Sequence, residues 1–388
     1  MSIFLGILLT LVVLLIVVMI HEFGHFITAR LTGMKVEEFG IGIPPRAYRF
    51  FTDKKWTEYT LNWLPIGGFV RIVGEDPRSP ESNIKWSFIT KPWASRVLVL
   101  VAGVTMNFFL AFVIFTWLFL YGTKPMAIIP IEWSHSKLLP SDYEAIEKWY
   151  LVHNGILVES ISGSIAQKSG IGSGELVTAI NGVTPKLSQD IIKVIRENKE
   201  FDITLGWENS RTLRITPKDG KIGMMIGYKE LKVNENIHIQ YSGIAAIQAG
   251  AEETIANTKI TFSFLSRMVV WLFSPKNETE HKEAKDMLSG PIGLGSTFVS
   301  IVRENVPLNI ILVMIALLSI NLGVINILPF PALDGGRIVT TTLYSISSFF
   351  PHGKKYFSKA EGAIHTIGFI ILITLMVYVS GLDISRFF

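Results

Sequence analysis

Four stretches of this 388-residue chain carry no charged side chain: residues 3–20, 97–123, 306–333 and 366–382. An α-helix needs roughly 20 apolar residues to cross the hydrocarbon of a bilayer. Runs of this length therefore restrict the chain to a multi-pass α-helical membrane protein with four transmembrane helices. The remaining composition agrees. Only 18% of residues are charged, against roughly 25% in soluble proteins, and a net charge of +4 calls for no nucleic-acid partner. The first run has no basic residue ahead of it and no small-residue cleavage site before His21. It reads as a retained helix and not as a signal peptide.

Basic residues orient the bundle. None of the first 20 residues is Lys or Arg, whereas eleven lie from Arg30 to Arg96, and Arg337, Lys354, Lys355 and Lys359 follow the third run. The positive-inside rule makes both of these loops cytoplasmic. The N-terminus and the long middle segment are then extracytoplasmic. The runs divide the chain into 1–123, an extracytoplasmic region 124–235, a connecting segment 236–305, and 306–388.

Residues 34–75 read as β-rich, with glycine-punctuated alternation that suggests hairpins. Open backbone reaches membrane depth only where protein or a wet cavity shields it. The segment is therefore either a cytosolic hairpin or a re-entrant, membrane-associated one. In the middle region, 155–161 reads as a strand, 164–171 as a helical turn and 174–182 as a strand into a turn. An amphipathic helix over 189–197 and a hairpin over 201–217 follow. This order resembles a bacterial PDZ domain at about 150–230, which makes one extracytoplasmic PDZ-like α+β domain; the resemblance implies a C-terminal peptide as its ligand, added as a strand. Residues 242–273 read as an amphipathic helix, lying on the outer membrane surface or packed on the PDZ-like domain. Residues 275–285 read as an exposed loop.

The sharpest local signal is His21-Glu22-Phe-Gly-His25 at the end of the first run. On a helix, residues i and i+4 share a face, so the two histidines can grip one metal ion while Glu22 acts on water beside it. The bland alternative is an interfacial cap with solvated side chains. A catalytic zinc site takes three protein ligands and keeps one position open. Without cysteine, the third ligand must be His, Asp or Glu. The third run also enters the membrane from outside, and its inner end reads Asn326-Ile-Leu-Pro-Phe-Pro-Ala-Leu-Asp334-Gly-Gly. Asp334 is the one carboxylate there, and Pro329 and Pro331 break the helix so that it can turn inward. Its alternative role is an N-cap for the next helix.

HExxH at the end of a first membrane helix, with N-x2-P-x-P-x-L-D-G in a later one, resembles the site-2 protease family of intramembrane metalloproteases. Within it, the chain is similar to the bacterial RseP/RasP branch. Further matching stretches are Phe39-Gly-Ile-Gly, Thr57-Glu-Tyr, Leu64-Pro-Ile-Gly-Gly-Phe-Val-Arg, Gly103-x3-Asn107 and Ser289-Gly-Pro-Ile-Gly. The resemblance implies that His21, His25 and Asp334 bind one Zn2+ ion and that Glu22 is the general base. Asn326 and Asn107 then lie near the active site. Gly67, Gly68 and Phe69 belong to a membrane-associated edge that pairs with substrate. The implied activity is cleavage of transmembrane proteins or peptides, such as anti-sigma factors or signal-peptide remnants, in the bacterial inner membrane. The active site is then on the cytoplasmic side.

Two other classes compete. A metal transporter would use His21, His25 and Asp334 as a transit site, but it calls for ionisable residues along a pathway, and the second and third runs have none. A non-catalytic PDZ scaffold gives no reason for Glu22 between ligand-spaced histidines. Glu361 and His365, at i and i+4 near the fourth run, read as an interfacial polar pair, with a second metal pair or a gate as alternatives. His135, His153, His238, His281 and His352 show no ligand spacing and read as surface residues.

Overall fold

The computed structural model describes residues 2–75, 84–123, 150–151, 156–172, 175–185, 188–206, 210–227, 232–233, 239–274, 290–304, 306–347 and 353–386. The five histidines just named, the 275–285 loop and Ser289 lie outside these residues. In chain order come α1 (Ser2–Leu31), β1 (Val36–Thr52), β2 (Glu58–Ile72) and α2 (Trp93–Tyr121). Next are β3 (Tyr150–Leu151), β4 (Ile156–Ser160), α3 (Ile165–Lys168), β5 (Glu175–Ile180) and α4 (Ser188–Glu197). Then follow β6 (Phe201–Leu205), β7 (Arg211–Ile215), β8 (Met224–Gly227) and β9 (Lys232–Val233). The chain closes with α5 (Ile244–Phe273), α6 (Pro291–Arg303), α7 (Leu308–Ile327), α8 (Asp334–Ser347) and α9 (Gly353–Ser385).

Two compact units result, one of Met1–Tyr121 with Tyr241–Phe388 and the other of Gly122–Gln240. Among the described residues, four helical segments of the first unit are long and apolar enough to cross a membrane: Ile3–Leu31, Trp93–Tyr121, Leu308–Ile327 and Glu361–Ser385. α2 is central, packing against α1, α5, α7 and α8. Its Phe115, Leu118 and Phe119 are fully buried, with Ile320 of α7 and Phe298 of α6. On the outside of the bundle, Phe4, Phe109, Ile370 and Val377 are exposed, which suits a surface bathed by hydrocarbon and not by water. The third run is apolar to Leu333, but α7 stops at Ile327, because the backbone must turn extended ahead of Pro329. The fourth helix starts well before its apolar run, at Gly353, which places Glu361 and His365 two to three turns inside it. α5 packs along α2 and α7, and Thr261 Oγ1 donates to Asn321 Oδ1 at 2.9 Å.

β1 and β2 form more than a simple hairpin. Phe39 pairs with both Val70 and Tyr59, Gly40 with Phe69 and Thr60, and Ile41 with Gly68 and Leu61, while Phe51 pairs with Tyr59. Each strand folds over, so four segments lie side by side in the order 68–72, 36–41, 58–62, 46–52. Glu38, 3% exposed, fastens the layers. It pairs with Arg46 at 3.1 Å and Arg71 at 3.2 Å and accepts from Thr60 Oγ1 at 2.7 Å. Phe26 of α1 meets Phe39 and Tyr59 edge-on, and Val36, Ile72 and Phe88 close this core against Val99 and Leu100 of α2.

The second unit holds a five-stranded antiparallel sheet in the order β7-β6-β5-β4-β8. Its inward side chains include Val158, Val177, Ile203 and Ile215, covered by Ile191 and Ile195 of α4. Strand β8, at the sheet edge beside β4, has no counterpart in the sequence reading. Glu175 is held by Arg211, and Asp202 pairs with Arg214 at 2.8 Å.

Candidate metal centre

One turn separates His21 and His25 on α1, and both rings are buried, at 5% and 8% exposure. The third group arrives from far along the chain. α8 begins at Asp334, whose Oδ2 lies 3.0 Å from His21 Nε2 and 3.3 Å from His25 Nε2. The two Nε2 atoms are 3.1 Å apart. Donors bound to one tetrahedral zinc at roughly 2.0–2.1 Å stand roughly 3.3 Å from one another, so the triangle is close to the size of one coordination face. Asp334 Oδ2 is buried without a hydrogen-bond partner, as befits a ligand atom aimed at a shared point and not along a ring N–H. Imidazole and carboxylate without thiolate suit zinc. Among the described residues, these three side chains are the one group of His, Cys, Asp or Glu able to share an ion.

The outer nitrogens of both rings are engaged. His25 Nδ1 lies 2.9 Å from the Val99 carbonyl, an arrangement in which Nδ1–H donates and Nε2 keeps its lone pair for a metal. His21 Nδ1 stands 3.2 Å from the Asn107 amide Nδ2, and Asn107 Oδ1 is buried with no partner. A half-turn of that amide presents Oδ1 to His21 Nδ1–H and leaves the His21 Nε2 lone pair on the metal side. Ser319 of α7 donates to the Asn107 carbonyl at 2.9 Å. Gly103 is closest of all: a Cβ there would meet His25 Nε2 at 2.4 Å and His21 Cε1 at 2.9 Å. The Gly103-x3-Asn107 spacing thus brings one helix face against both rings.

Asp334 is placed by the turn before it. Leu328 is extended, and Ala332 takes a left-handed φ of 75°, which bends the chain back into α8. Cβ atoms at Gly335 and Gly336 would strike the carbonyls of Leu328 and Phe330 at 2.2 and 2.1 Å, so glycine lets α8 start directly against this turn. Pro329 and Pro331 lie in the turn itself, between the extended Leu328 and the left-handed Ala332. His365 of α9 supports the turn: its Nδ1 accepts the Ala332 N–H at 2.9 Å, and its Nε2 is 3.3 Å from Thr340 Oγ1. Sequence reasoning missed this role. His365 is a brace for the loop and belongs to no second metal group among the described residues. Asn326 is half-buried on the last turn of α7, and no hydrogen bond joins it to the three ligands among the described residues.

Glu22, half-buried, faces the glycine strand. A Cβ on Gly68 would lie 2.5 Å from Met19 Sδ and 3.8 Å from Glu22 Cγ, and one on Gly67 would lie 3.8 Å from Val18. The 68–72 segment pairs with 36–41 on one side, and among the described residues no strand covers its other edge. An open cavity of about 650 Å³ continues from there, lined by Arg71, Glu75, Leu100, Arg337, His365 and Phe369 among others. Arg337, one turn beyond Asp334, is paired with Glu75, three residues past the end of β2.

Comparison with known proteins agrees with this geometry. The profile of peptidase family M50 matches residues 9–375. The chain is 27% identical to the regulator of sigma-W protease RasP of Bacillus subtilis, over 96% of each protein. It is also 27% identical to zinc metalloprotease RasP of Bacillus licheniformis, over 96% of each. A Fusobacterium nucleatum protein that carries a zinc metalloprotease designation is 31% identical, over 98% of this chain and 99% of that protein. With a family profile spanning almost its whole length and a histidine–histidine–aspartate cluster to match, the chain belongs to peptidase family M50, the site-2 protease family of membrane zinc metalloproteases.

Proposed function

We propose that this membrane zinc protease cuts single-span transmembrane substrates, with His21, His25 and Asp334 as zinc ligands and Glu22 as general base. The observation that carries the reading is the convergence of three donor atoms within 4.8 Å, one residue from Glu22 and beside an uncovered strand edge. A helix in hydrocarbon keeps all its backbone hydrogen bonds internal, so a substrate must unwind before it can be cut. The 67–71 edge offers N–H and C=O groups that hold the unwound segment extended by strand addition. Gly67 and Gly68 let that segment lie close to Glu22, and Phe69 packs toward Gly40 of the neighbouring strand. A zinc ion at the centre supplies Lewis acidity to the scissile carbonyl and to the attacking water. Glu22 takes the proton from that water and passes it to the leaving amine. Val99 and Asn107 hold the histidine rings in the tautomer that ligation needs. Asn326 and the Pro329–Pro331 turn act as active-site support.

The positive-inside pattern puts the N-terminus and the Gly122–Gln240 unit outside a bacterial inner membrane, with the metal centre toward the cytoplasm. The approach of Gly67 and Gly68 to Val18 and Met19, inside the apolar run of α1, favours a re-entrant, membrane-associated hairpin. The second unit is PDZ-like in its element order. We assign it a role in substrate admission, either by taking a C-terminal peptide or by excluding bulky ectodomains. B. subtilis RasP is named a regulator of sigma-W, and a membrane-bound regulatory protein is the corresponding substrate class here. The test is Glu22→Gln with a single-span model substrate. Full zinc content with cleavage lost is the expected outcome; cleavage by a zinc-loaded Glu22→Gln protein refutes the reading.

A further inference from the structure

Beyond the metal centre, the last turn of α1 borders a second cavity of about 340 Å³, lined by Arg30, Lys35, Lys55, Trp56 and Trp86 among others. A further cation joins it, since a Cβ on Gly33, another wall residue, would lie 3.2 Å from Lys91 Nζ. The nearby carboxylate of Asp53 is already engaged. It pairs with Arg30 and accepts the backbone N–H groups of Lys55 at 2.8 Å and Thr57 at 3.1 Å. The Lys35, Lys55 and Lys91 ammonium groups have no ion-pair partner among the described residues. Arg30 also donates from Nη2 to Thr57 Oγ1 at 2.9 Å, and its guanidinium lies 4.6 Å over the Phe26 ring. The cavity wall thus holds a surplus of positive charge.

Two features give the depth of this cavity in a bilayer. α1 has 30 residues, about 45 Å at the rise of an α-helix, which matches hydrocarbon plus both headgroup layers at roughly 40–45 Å. Its last turn therefore stands at headgroup level. Trp56 and Trp86 are 76% and 47% exposed, and indoles so placed favour the membrane–water interface. Trp56 takes a left-handed φ of 64°, uncommon for a bulky residue. Its N–H donates to the Asp53 carbonyl at 3.0 Å, and this turn presents the ring outward.

We propose that this cavity binds the phosphate of an anionic lipid headgroup, with Lys35, Lys55 and Lys91 as its cations and Trp56 and Trp86 as interfacial walls. Bound lipid would join the end of the histidine-bearing helix to the 53–57 turn and to the 84–91 segment. The depth and the exposed indoles favour lipid over free phosphate as the source.

The test uses the delipidated full-length chain in detergent, titrated with short-chain phosphatidylglycerol, with phosphatidylcholine, and with inorganic phosphate. Phosphatidylglycerol is expected to bind best and to raise the unfolding temperature. Each Lys→Gln change should weaken it about fivefold, the worth of one cation near an anionic lipid surface. The triple variant Lys35→Gln/Lys55→Gln/Lys91→Gln should lose on the order of 100-fold. Lys168→Gln, an exposed lysine of the second unit, should change nothing. The triple Lys→Arg variant keeps the charge and should keep the binding, which guards against a folding defect in the Gln series. Unchanged phosphatidylglycerol affinity in the single Lys→Gln variants overturns the proposal, as does equal affinity for phosphatidylcholine. Millimolar inorganic phosphate that displaces phosphatidylglycerol in a lysine-dependent way overturns the lipid assignment in favour of a free anion.

Discussion

Gly103→Ala adds one methyl group to α2 and tests the metal centre without touching a ligand. The new Cβ would stand 2.4 Å from His25 Nε2, 2.6 Å from His25 Cε1 and 2.9 Å from His21 Cε1. Ordinary contact begins near 3.4 Å, so the His25 ring or the α2 backbone must shift by about 1 Å. The ring cannot rotate freely, because its Nδ1 is bound to the Val99 carbonyl on the same helix face. Overpacking of this kind costs about 1–3 kcal/mol of stability. A misplacement of roughly 1 Å at reacting groups costs about 100-fold in rate. Disturbed support of a ligand costs about 10–100-fold in metal affinity. Zinc content measured by mass spectrometry after dialysis against a graded chelator, followed by cleavage of a single-span substrate, reads both effects. Gly295→Ala is the control, since a Cβ there meets nothing within 4 Å. If Gly103→Ala keeps zinc and activity within twofold of wild type, the packing of α2 on the two rings is wrong.

Three other outcomes are expected at separate places in the fold. His365→Ala removes the acceptor of the Ala332 N–H and should lower zinc affinity by about 10–100-fold; His365→Gln, which retains an acceptor, should recover part of it in the same chelator titration. Asp383, 1% exposed, accepts the N–H groups of Gly290 and Gly293 at 2.9 and 2.8 Å and so caps α6; Asp383→Ala should cost about 0.5–2 kcal/mol, seen as a lower unfolding temperature. Burial of Asp53 raises its pKa, but the N–H groups of Thr57 and Lys55 and the Arg30 guanidinium outweigh that and hold it below the ordinary 3.8. A depressed pKa stabilises the fold above the ordinary value and is lost as pH falls through the folded one; hydrogen exchange at residues 53–57, corrected for intrinsic rate, should therefore rise below about pH 4 in wild type and show no such step in Asp53→Asn.

The clustering of His21, His25 and Asp334 was legible where it depended on local spacing. His21 and His25 share a face because they are four residues apart, and the prolines after Asn326 announce the turn that frees Asp334. The bracing of these groups was not legible. Val99, Gly103 and His365 act across pairs such as His25–Val99, 74 residues apart, and Ala332–His365, 33 apart, and no periodicity records such meetings. Glu361 and His365 read as an interfacial pair from sequence because the apolar run begins only at Thr366, whereas the helix itself starts at Gly353. The β-rich segment was recognisable from its glycines and aromatics. Its fold-over was not, since Gly40 pairs with both Phe69 and Thr60, a choice made by register and by the buried Glu38. Strand β8 escaped because Met224–Gly227 is four residues long and pairs back to β4 across the whole sheet.

The most direct test of the central claim is zinc K-edge X-ray absorption on the purified full-length chain, alongside the Asp334→Ala variant. The expected result is one zinc per chain, bound by two imidazole nitrogens and by oxygen with no sulfur in its shell, and a marked loss of zinc from the variant. A wild-type chain that holds no zinc, or an Asp334→Ala chain with an unchanged spectrum and zinc content, would contradict it.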